Sequence, residues 1–393
     1  MIGRGWILIP LCWVGFMAAW LANWDFAWLR ALLLLGFAAA TAWMLVRPQP
    51  PSVMAPTRVA ATQWVLAALA LAHLAWFAVS WFDPHPGFAD IGVTTLAAAS
   101  AISHGLDPYT LPIDPQHIAT LKGFEGYKYT PVMALAYLPL GAVLGARGLL
   151  LTNLLADLGV ALVVNRLATR TGGQAAGLVA AALYLSIPFV PQQLFQLGVT
   201  DLISVLALMV GLTFHGRSAA LSGFFMGLSV AAKPFPGLIA AAYGLSNKDR
   251  LQYLAGCAVG VLPVALFLIR SARALIDNTI LYNLIRPPDT TAWLTGQPIQ
   301  VAIFTRIIAL TILITGAAIL WRRGTSLQAR CCWTIIGVIA SILAGPSAHT
   351  NYLLWWAPLF CTMLATVCRG SAVSIENEAP ATRRAAPAAL RPG

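Results

Sequence analysis

The side chains with the clearest chemical potential lie in a polar stretch from Trp81 to Tyr129, within an otherwise apolar sequence. The chain has 13 acidic residues, and this stretch holds five of them: Asp83, Asp90, Asp107, Asp114 and Glu125. An aspartate is ionised at neutral pH and can accept the proton of an attacking hydroxyl group. A chain so poor in carboxylates that gathers them in one loop is predicted to carry out its chemistry there.

Basic side chains that could meet a negatively charged substrate come later in the sequence. Lys233 lies within an apolar segment, where an ionisable residue is costly and functional by default. The alternative is that its long side chain extends the ammonium group to the membrane surface. Arg286 is stiffened by the two prolines that follow it. Arg270 and Arg273 are further candidates, and simple outer-surface charge explains these three arginines at least as well.

The composition points to a membrane protein. Of the 393 residues, 59% are hydrophobic and only 9% are charged, whereas about 25% of a soluble domain is charged. The formal net charge is +11, but the basic residues are scattered between apolar runs, as in cytoplasmic loops, so nucleic acid is not an expected partner. The six cysteines show no CxxC spacing, which argues against a zinc site or a disulfide framework.

Apolar runs of the length needed to cross a bilayer, about 17–25 residues, occupy most of the chain. They lie at 6–22, 28–46, 59–81, 149–167, 174–190, 252–270, 300–321, 331–346 and 350–368. Shorter or interrupted runs, which are tolerated where they line a protein cavity, lie at 130–146, 200–214, 219–232 and 234–246. The prediction is an all-α, polytopic integral membrane helical bundle with 11–13 transmembrane helices. Residues 1–369 are expected to form one domain, followed by a disordered cytoplasmic tail at 370–393.

The distribution of basic residues sets the expected orientation. With both termini in the cytoplasm, most Lys and Arg residues fall inside, and 82–128 becomes a large outer loop. This topology requires 130–146 to re-enter rather than cross the membrane, and it makes the first apolar run an uncleaved helix. Within the loop, 91–104 is predicted to be an interfacial helix with Asp90 as its N-cap and Gly105 as its stop. A second interfacial helix is predicted at 272–285.

Four motifs carry a resemblance to a known group of membrane enzymes. They are Asp90 with its helix and the "HGLDPY" turn, "YKYTPVMALAYLPL" from Tyr127, "QLGVTDLISVLAL" followed by "GFFMGLSVAAKPFPGL", and "GPSAHTNYLLWWAPL" from Gly345. In order and topology they resemble polyprenyl-phosphate-sugar-dependent glycosyltransferases of the C-type (GT-C) superfamily, closest to glycosyltransferase family 87. The sequence departs from that pattern in Thr200-Asp201, where an Asn is more usual, and in having a single loop Asp rather than an acidic pair.

The resemblance implies transfer of a hexose, most often mannose, from a polyprenyl-phosphate donor to an acceptor hydroxyl on the outer face, with inversion. A glycan or glycolipid would be the acceptor, and the chain would sit as a multi-pass protein in the plasma (inner) membrane with its active site on the periplasmic side. It makes Asp90 the candidate general base, beside the simpler interpretation that Asp90 only caps its helix. Lys233 and Arg286 would stabilise the leaving phosphate.

Further residues are candidates for contacts with the donor phosphate or sugar: Lys128, Tyr129, His104, Tyr109, Asp201, His349 and Tyr352. For the tyrosines of the loop, an interfacial aromatic belt is an equally good explanation, and for the others a satisfied structural polar group is. Asp157 is expected to be paired within the bundle. There is no DxD motif, phosphate-binding Gly-rich loop or metal-ligand cluster, so no metal and no cofactor are expected.

Two other functions stay open at this point. A lipid-linked saccharide flippase or secondary transporter would be expected to show duplicated halves with broken helices in matching places, and no internal repeat is visible. A non-catalytic membrane partner of a cell-envelope assembly is the second alternative.

Overall fold

A computed structural model gives the fold of the chain. It describes residues 27–46, 56–84, 86–113, 124–286, 292–323, 326–347 and 349–368, together with five isolated positions between 11 and 18. The main helices are α1 (Ala27–Val46), α2 (Pro56–Phe82), α3 (Asp90–Ser103), α4 (Pro131–Leu144), α5 (Ala146–Gly172), α6 (Gln174–Leu185), α7 (Phe189–Gln196), α8 (Leu202–Thr213), α9 (Ala219–Ala232), α10 (Pro234–Gly244), α11 (Arg250–Ile276), α12 (Ile299–Arg323), α13 (Leu327–Ala344) and α14 (Ala357–Cys368).

The described part of the chain is helical throughout and contains no strand, which confirms the all-α polytopic membrane fold. Five of its helices, α2, α5, α11, α12 and α13, are long and apolar enough to cross a membrane, and α6 with α7 makes a sixth, bent by 55°. Six further apolar helices have 10–17 residues. The predicted total of 11–13 spans would be reached only if these short helices also crossed. The first predicted span and the predicted tail at 370–393 lie outside the described residues.

The contact between α9 and α11 depends on glycines spaced four residues apart on both helices. A Cβ atom on Gly223 or Gly227 would overlap backbone carbonyl oxygens of α11, and one on Gly256 or Gly260 would overlap those of α9. Small residues at this spacing let helix backbones approach closely, which is how helices associate in lipid. This contact fixes the C-terminal end of α9, and Lys233 follows directly after it.

The outer loop begins with α3, which confirms the helix predicted at 91–104 with a shift of one residue. Ala89 occupies the N-cap position and Asp90 is the first helical residue, so the prediction that Asp90 is the N-cap was wrong by one position, within the usual uncertainty of helix ends. Gly105, at φ +72°, ends the helix as predicted because a left-handed backbone suits glycine. Half of the helix is buried against the rest of the protein, including Ile91, Thr95 and Ala98.

Helix α4 covers the run that was expected to re-enter the membrane. Its 14 residues span only about 21 Å, less than the hydrocarbon core of about 30 Å. At its start Thr130 donates a hydrogen bond to the carbonyl of Ala232, and just beyond its end Arg147 lies 5.7 Å from the ring of Trp81 in the last turn of α2. Both neighbours belong to the predicted outer side, which favours re-entry; the position in the membrane stays a prediction.

The bend between α6 and α7 is held by a buried ion pair. His73 of α2 contacts the Asp157 carboxylate at 2.6 Å and the carbonyl oxygen of Leu185 at 3.0 Å. Tyr184 donates a hydrogen bond to the other Asp157 oxygen at 2.6 Å. The expectation that Asp157 is paired inside the bundle is thereby confirmed, and Asn153 holds the far side of the bend through Leu194 and Val199.

The segment predicted as a second interfacial helix is helical and separate from the span before it. Ser271 has φ −152° and ψ 50°, which breaks the helical path of α11. Beyond it the chain continues as helix through a π-turn, Asp277–Leu281, and a last turn, Tyr282–Ile285. The break gives this segment a direction of its own at the end of the span.

Candidate active site

Asp201 is the centre of a buried polar cluster. It precedes α8, and its side chain is fully buried. One carboxylate oxygen accepts hydrogen bonds from the Lys233 ammonium and the Trp355 indole, and the other accepts one from the Asn351 amide at 3.0 Å. Three donors from two separate segments, Lys233 and the short helix Thr350–Trp355, satisfy a charge that would otherwise be very costly to bury.

Lys233 lies where α9 stops and α10 begins. A residue that precedes proline is pushed out of the helical region, and Lys233 accordingly has φ −150° and ψ 116° in front of Pro234. Side chains bond to carbonyl groups around this break: Thr130 donates to Ala232, and Ser204 donates to Ser229, which also accepts the backbone N–H of Lys233. The break therefore points a lysine side chain inward at a fixed position.

Three aromatic rings surround the Lys233 ammonium. Its nitrogen lies 5.3 Å from the ring centre of Tyr129, 5.8 Å from that of Tyr352 and 5.1 Å from that of Trp355, which is the range of cation–π attraction. Within the described residues Asp201 is the only hydrogen-bond acceptor seen for this ammonium. Since an ammonium has three N–H donors, two remain for an anionic ligand.

Asp90 is near enough to Tyr129 to act on its phenol. One oxygen of its carboxylate accepts the backbone N–H of Ile91 at 2.7 Å, and the side chain is half-buried. Burial raises the pKa of the Tyr129 phenol well above its usual value, and the Asp90 and Asp201 carboxylates raise it further. Tyr129 therefore stays neutral, and it lies within electrostatic reach of both the loop carboxylate and Asp201.

Arg286 reaches the cluster through a chain of polar contacts. Its guanidinium donates to the Ser347 hydroxyl at 2.6 Å, and that hydroxyl lies 2.9 Å from the hydroxyl of Tyr352. The Tyr352 ring stacks on Trp355 with 4.1 Å between ring centres. His349 contacts the edge of this stack, 5.6 Å from Tyr352. The last motif of the sequence thus supplies one wall of the cluster.

Lys128 and His104, which were predicted to contact the ligand, form hydrogen bonds with nearby protein groups instead. The Lys128 ammonium donates to the carbonyls of Phe124 and Gly126 and to Asn278, so its three N–H groups are all used. His104 is exposed at the end of α3 and contacts the carbonyl of Ser100 at 2.8 Å. Tyr109 is buried and donates to the backbone carbonyl of Tyr129 at 2.9 Å, so its position supports the tyrosine that lines the site.

Sequence reasoning missed two members of the cluster. Trp355 and Ser347 received no role, although both stand in the Gly345 motif. No local sequence pattern predicts that the Gly345 motif lies close to Asp201, which is about 150 positions earlier in the chain. In the described ranges, no three or more His, Cys, Asp and Glu side chains form a group that could hold a metal ion.

Comparisons with known proteins add one finding. No family model matches the chain, and no curated protein matches it. Among solved structures, it is similar to the crystal structure of ArnT from Cupriavidus metallidurans bound to undecaprenyl phosphate, with a TM-score of 0.51 and 14% sequence identity. The fold is ArnT-like.

The ArnT similarity has a defined extent. It covers 78% of this chain and 60% of the ArnT chain, so this chain spans well under two thirds of the ArnT length. The similarity shows a fold shared with ArnT; the GT-C assignment expected from the sequence motifs stays a prediction. At this identity the similarity establishes architecture, and the chemistry must be argued from the site.

Proposed function

We propose that this protein is a membrane glycosyltransferase that transfers a hexose from a polyprenyl-phosphate donor to a hydroxyl group of an acceptor. The observation that carries the proposal is the buried Lys233–Asp201 pair beside Tyr129, whose phenol is also acted on by the Asp90 carboxylate. A cation with unused donors beside a carboxylate with an open oxygen is what a sugar phosphate and an incoming hydroxyl require.

Asp90 is the proposed general base. Of the two carboxylates, Asp201 is already occupied by three donors, whereas the second oxygen of Asp90 has no hydrogen-bond partner within the described residues. That oxygen would accept the acceptor proton as the hydroxyl attacks C1 of the sugar, and attack from the face opposite the phosphate inverts the configuration. The negative charge of Asp90 would also favour the positively charged sugar of the transition state.

Lys233 is proposed to hold the donor phosphate. As the bond to C1 breaks, negative charge grows on the phosphate, and a fixed ammonium in a poorly hydrated site lowers the barrier. Arg286 would add a second positive charge from the outer end of the Ser347–Tyr352 chain. Asp201 holds the lysine ammonium in place through its hydrogen bond, which makes it a positioning residue.

ArnT supports the nature of the donor, because its structure contains undecaprenyl phosphate. By analogy, the donor here would be a polyprenyl-phosphate sugar, with mannose the sugar that the family 87 resemblance favours. The acceptor would be a glycan or glycolipid, reached on the outer face of the plasma membrane, and no metal takes part in the proposed mechanism. Glycosyltransferase family 87 is the proposed subgroup.

The test of this proposal is the Asp90→Asn variant in membranes supplied with polyprenyl-phosphate mannose labelled in the sugar. The variant should lose about 10²- to 10⁴-fold in transfer rate, because general-base assistance contributes that much, and its binding of undecaprenyl phosphate should be unchanged. Asp83→Asn, which alters an exposed aspartate of the same loop, is the matched control.

Two results would count against the assignment. Transfer by Asp90→Asn at the wild-type rate would remove Asp90 from the mechanism. Movement of the labelled lipid across the bilayer by the wild-type protein, without any transfer of sugar, would show a flippase instead.

A further inference from the structure

A second polar cavity lies on the opposite side of the segment that carries Tyr129. It has a volume of about 560 Å³ and lies between the turn at Tyr109 and the helical segment that follows the break at Ser271. This size is within the range of about 300–1,000 Å³ that is usual for small-ligand sites. Neither Lys233 nor Asp90 lines it, so it is distinct from the candidate active site.

The charges that line the cavity cancel. Arg270 and Arg273 contribute two positive charges, and Glu125 and Asp277 contribute two negative ones. Arg273 and Asp277 are 3.6 Å apart at one side of the cavity. A phosphate group would gain little from a lining without net charge. The cavity therefore suits a neutral ligand.

The lining also alternates donors with acceptors. Guanidinium groups donate, carboxylates accept, and the hydroxyl oxygens of Ser271 and Thr110, which donate to backbone carbonyls, can still accept. A hydroxyl-rich molecule needs this mixture, because each hydroxyl group both donates and accepts and is costly to bury unpaired. A saccharide is the neutral ligand that meets these requirements.

The wall between the two sites is thin and shared. Tyr109 lines the cavity and donates to the backbone of Tyr129, whose ring faces Lys233. Asn278 lines the same cavity and accepts hydrogen bonds from the Gly126 amide and the Lys128 ammonium. A ligand in the cavity would therefore lie next to the segment that forms one side of the active site.

We infer that this cavity binds the saccharide part of the acceptor, whose hydroxyl group is presented to Asp90 across the edge of the 126–129 segment. The inference rests on the proposed function, which requires a neutral sugar acceptor in addition to an anionic donor. Leu266 and Ile269, which precede Arg270 on α11, are apolar and exposed. Because such residues suit a lipid chain, the acceptor can be a glycolipid as well as a free glycan.

The experiment fills the cavity. Ala272 is exposed and lines it, so Ala272→Trp places a large ring in the cavity without disturbing the core. Ile280→Trp is the matched control, because Ile280 is also exposed on this segment and lies outside the cavity lining. The proteins are assayed in membranes of the source cells, which contain the natural acceptor, with polyprenyl-phosphate mannose labelled in the sugar. Binding of undecaprenyl phosphate is measured in parallel.

We expect Ala272→Trp to lower transfer at limiting acceptor at least tenfold and to leave undecaprenyl phosphate binding and thermal stability unchanged. Asp277→Asn, a smaller change, should raise the acceptor membrane concentration needed for half-maximal transfer about tenfold, the effect of one lost hydrogen bond to a sugar hydroxyl. Label recovered in a lipid other than the polyprenyl-phosphate donor would identify a glycolipid acceptor, and label in the polysaccharide fraction a glycan.

Three results would overturn the inference, each in a different way. Wild-type transfer rates in both Ala272→Trp and Asp277→Asn would show that the acceptor binds elsewhere. Loss of undecaprenyl phosphate binding in Ala272→Trp, with Ile280→Trp unaffected, would assign the cavity to the donor. A wild-type protein that transfers no sugar at all would reject the proposed function itself, and the inference with it.

Discussion

At the scale of single residues, the site depends on a lysine and an aspartate that need each other. Lys233 and Asp201 are both buried and in direct contact. Removing one partner of such a pair leaves an uncompensated charge, which costs about 3–5 kcal/mol, whereas replacing both is tolerated much better. A double-mutant cycle can therefore separate the contribution of this pair to the stability of the fold from its role in positioning the Lys233 ammonium.

Asp201→Asn should lower the free energy of unfolding by about 3–5 kcal/mol, and the double variant Asp201→Asn/Lys233→Met should recover most of that loss. Neither variant should bind undecaprenyl phosphate with wild-type affinity, since the ammonium is misplaced in one and absent in the other. Thermal unfolding in detergent and a lipid-binding measurement check this, with the exposed Asp249→Asn as control. Equal stability of all the variants would mean that the pair contributes nothing to the fold.

At the scale of helices, the glycines between α9 and α11 set the position of the lysine. Because Lys233 follows α9 directly, a displacement of that helix moves the ammonium away from Asp201. The four glycines leave no space for a side chain at the contact. Close packing of two helices is thus connected to the geometry of a single charged group.

Gly227→Leu should destabilise the protein by about 1–3 kcal/mol or more, the usual cost of overpacking, and reduce sugar transfer along with it. Gly36→Leu on α1, where an added Cβ meets no atom within 4 Å, is the control. The check is the unfolding temperature in detergent together with the transfer assay. A Gly227→Leu protein that unfolds and reacts like wild type would show that the two helices can separate without consequence.

The helices themselves were largely predictable from the sequence. The apolar run at 219–232 coincides with α9, and the run at 59–81 lies within α2, because about 20 apolar residues in a row have few alternatives to a buried or lipid-facing helix. What the sequence did not reveal were long-range partners, such as His73 with Asp157 or Trp355 with Asp201. These contacts depend on how the helices are arranged, which hydrophobicity alone does not specify.

At the scale of the whole molecule, the predicted site residues divide into two groups. Tyr129, Asp201, Lys233 and Tyr352 come from distant segments and meet in one cluster, which chain order alone could not predict. His104 and Lys128 instead satisfy their own helix end and loop. Residues from three of the motifs that carry the resemblance meet in this cluster, and the three-dimensional arrangement distinguishes the residues that line it from those that support it; their role in catalysis stays a prediction.

The orientation of the whole molecule can be tested by chemical labelling. In a variant whose six cysteines are replaced by alanine, Ser103→Cys should react with a membrane-impermeant maleimide in intact cells, because the loop is expected outside. Arg217→Cys, at the end of the turn before α9, should react only after the membrane is permeabilised. Both positions are exposed. The opposite pattern would reverse the predicted topology and place the site at the cytoplasm.

The hydrogen bond from Tyr109 to the backbone of Tyr129 has a consequence for kinetics under the proposed mechanism. The same short piece of peptide backs the cavity on one side and faces the lysine on the other. A substrate bound in the cavity or in the active site would fix the position of this segment for the substrate that binds on the other side. The two substrates would then bind cooperatively and react as a ternary complex. Without acceptor, Tyr129 would be held less firmly, and the bound donor would not be hydrolysed unproductively.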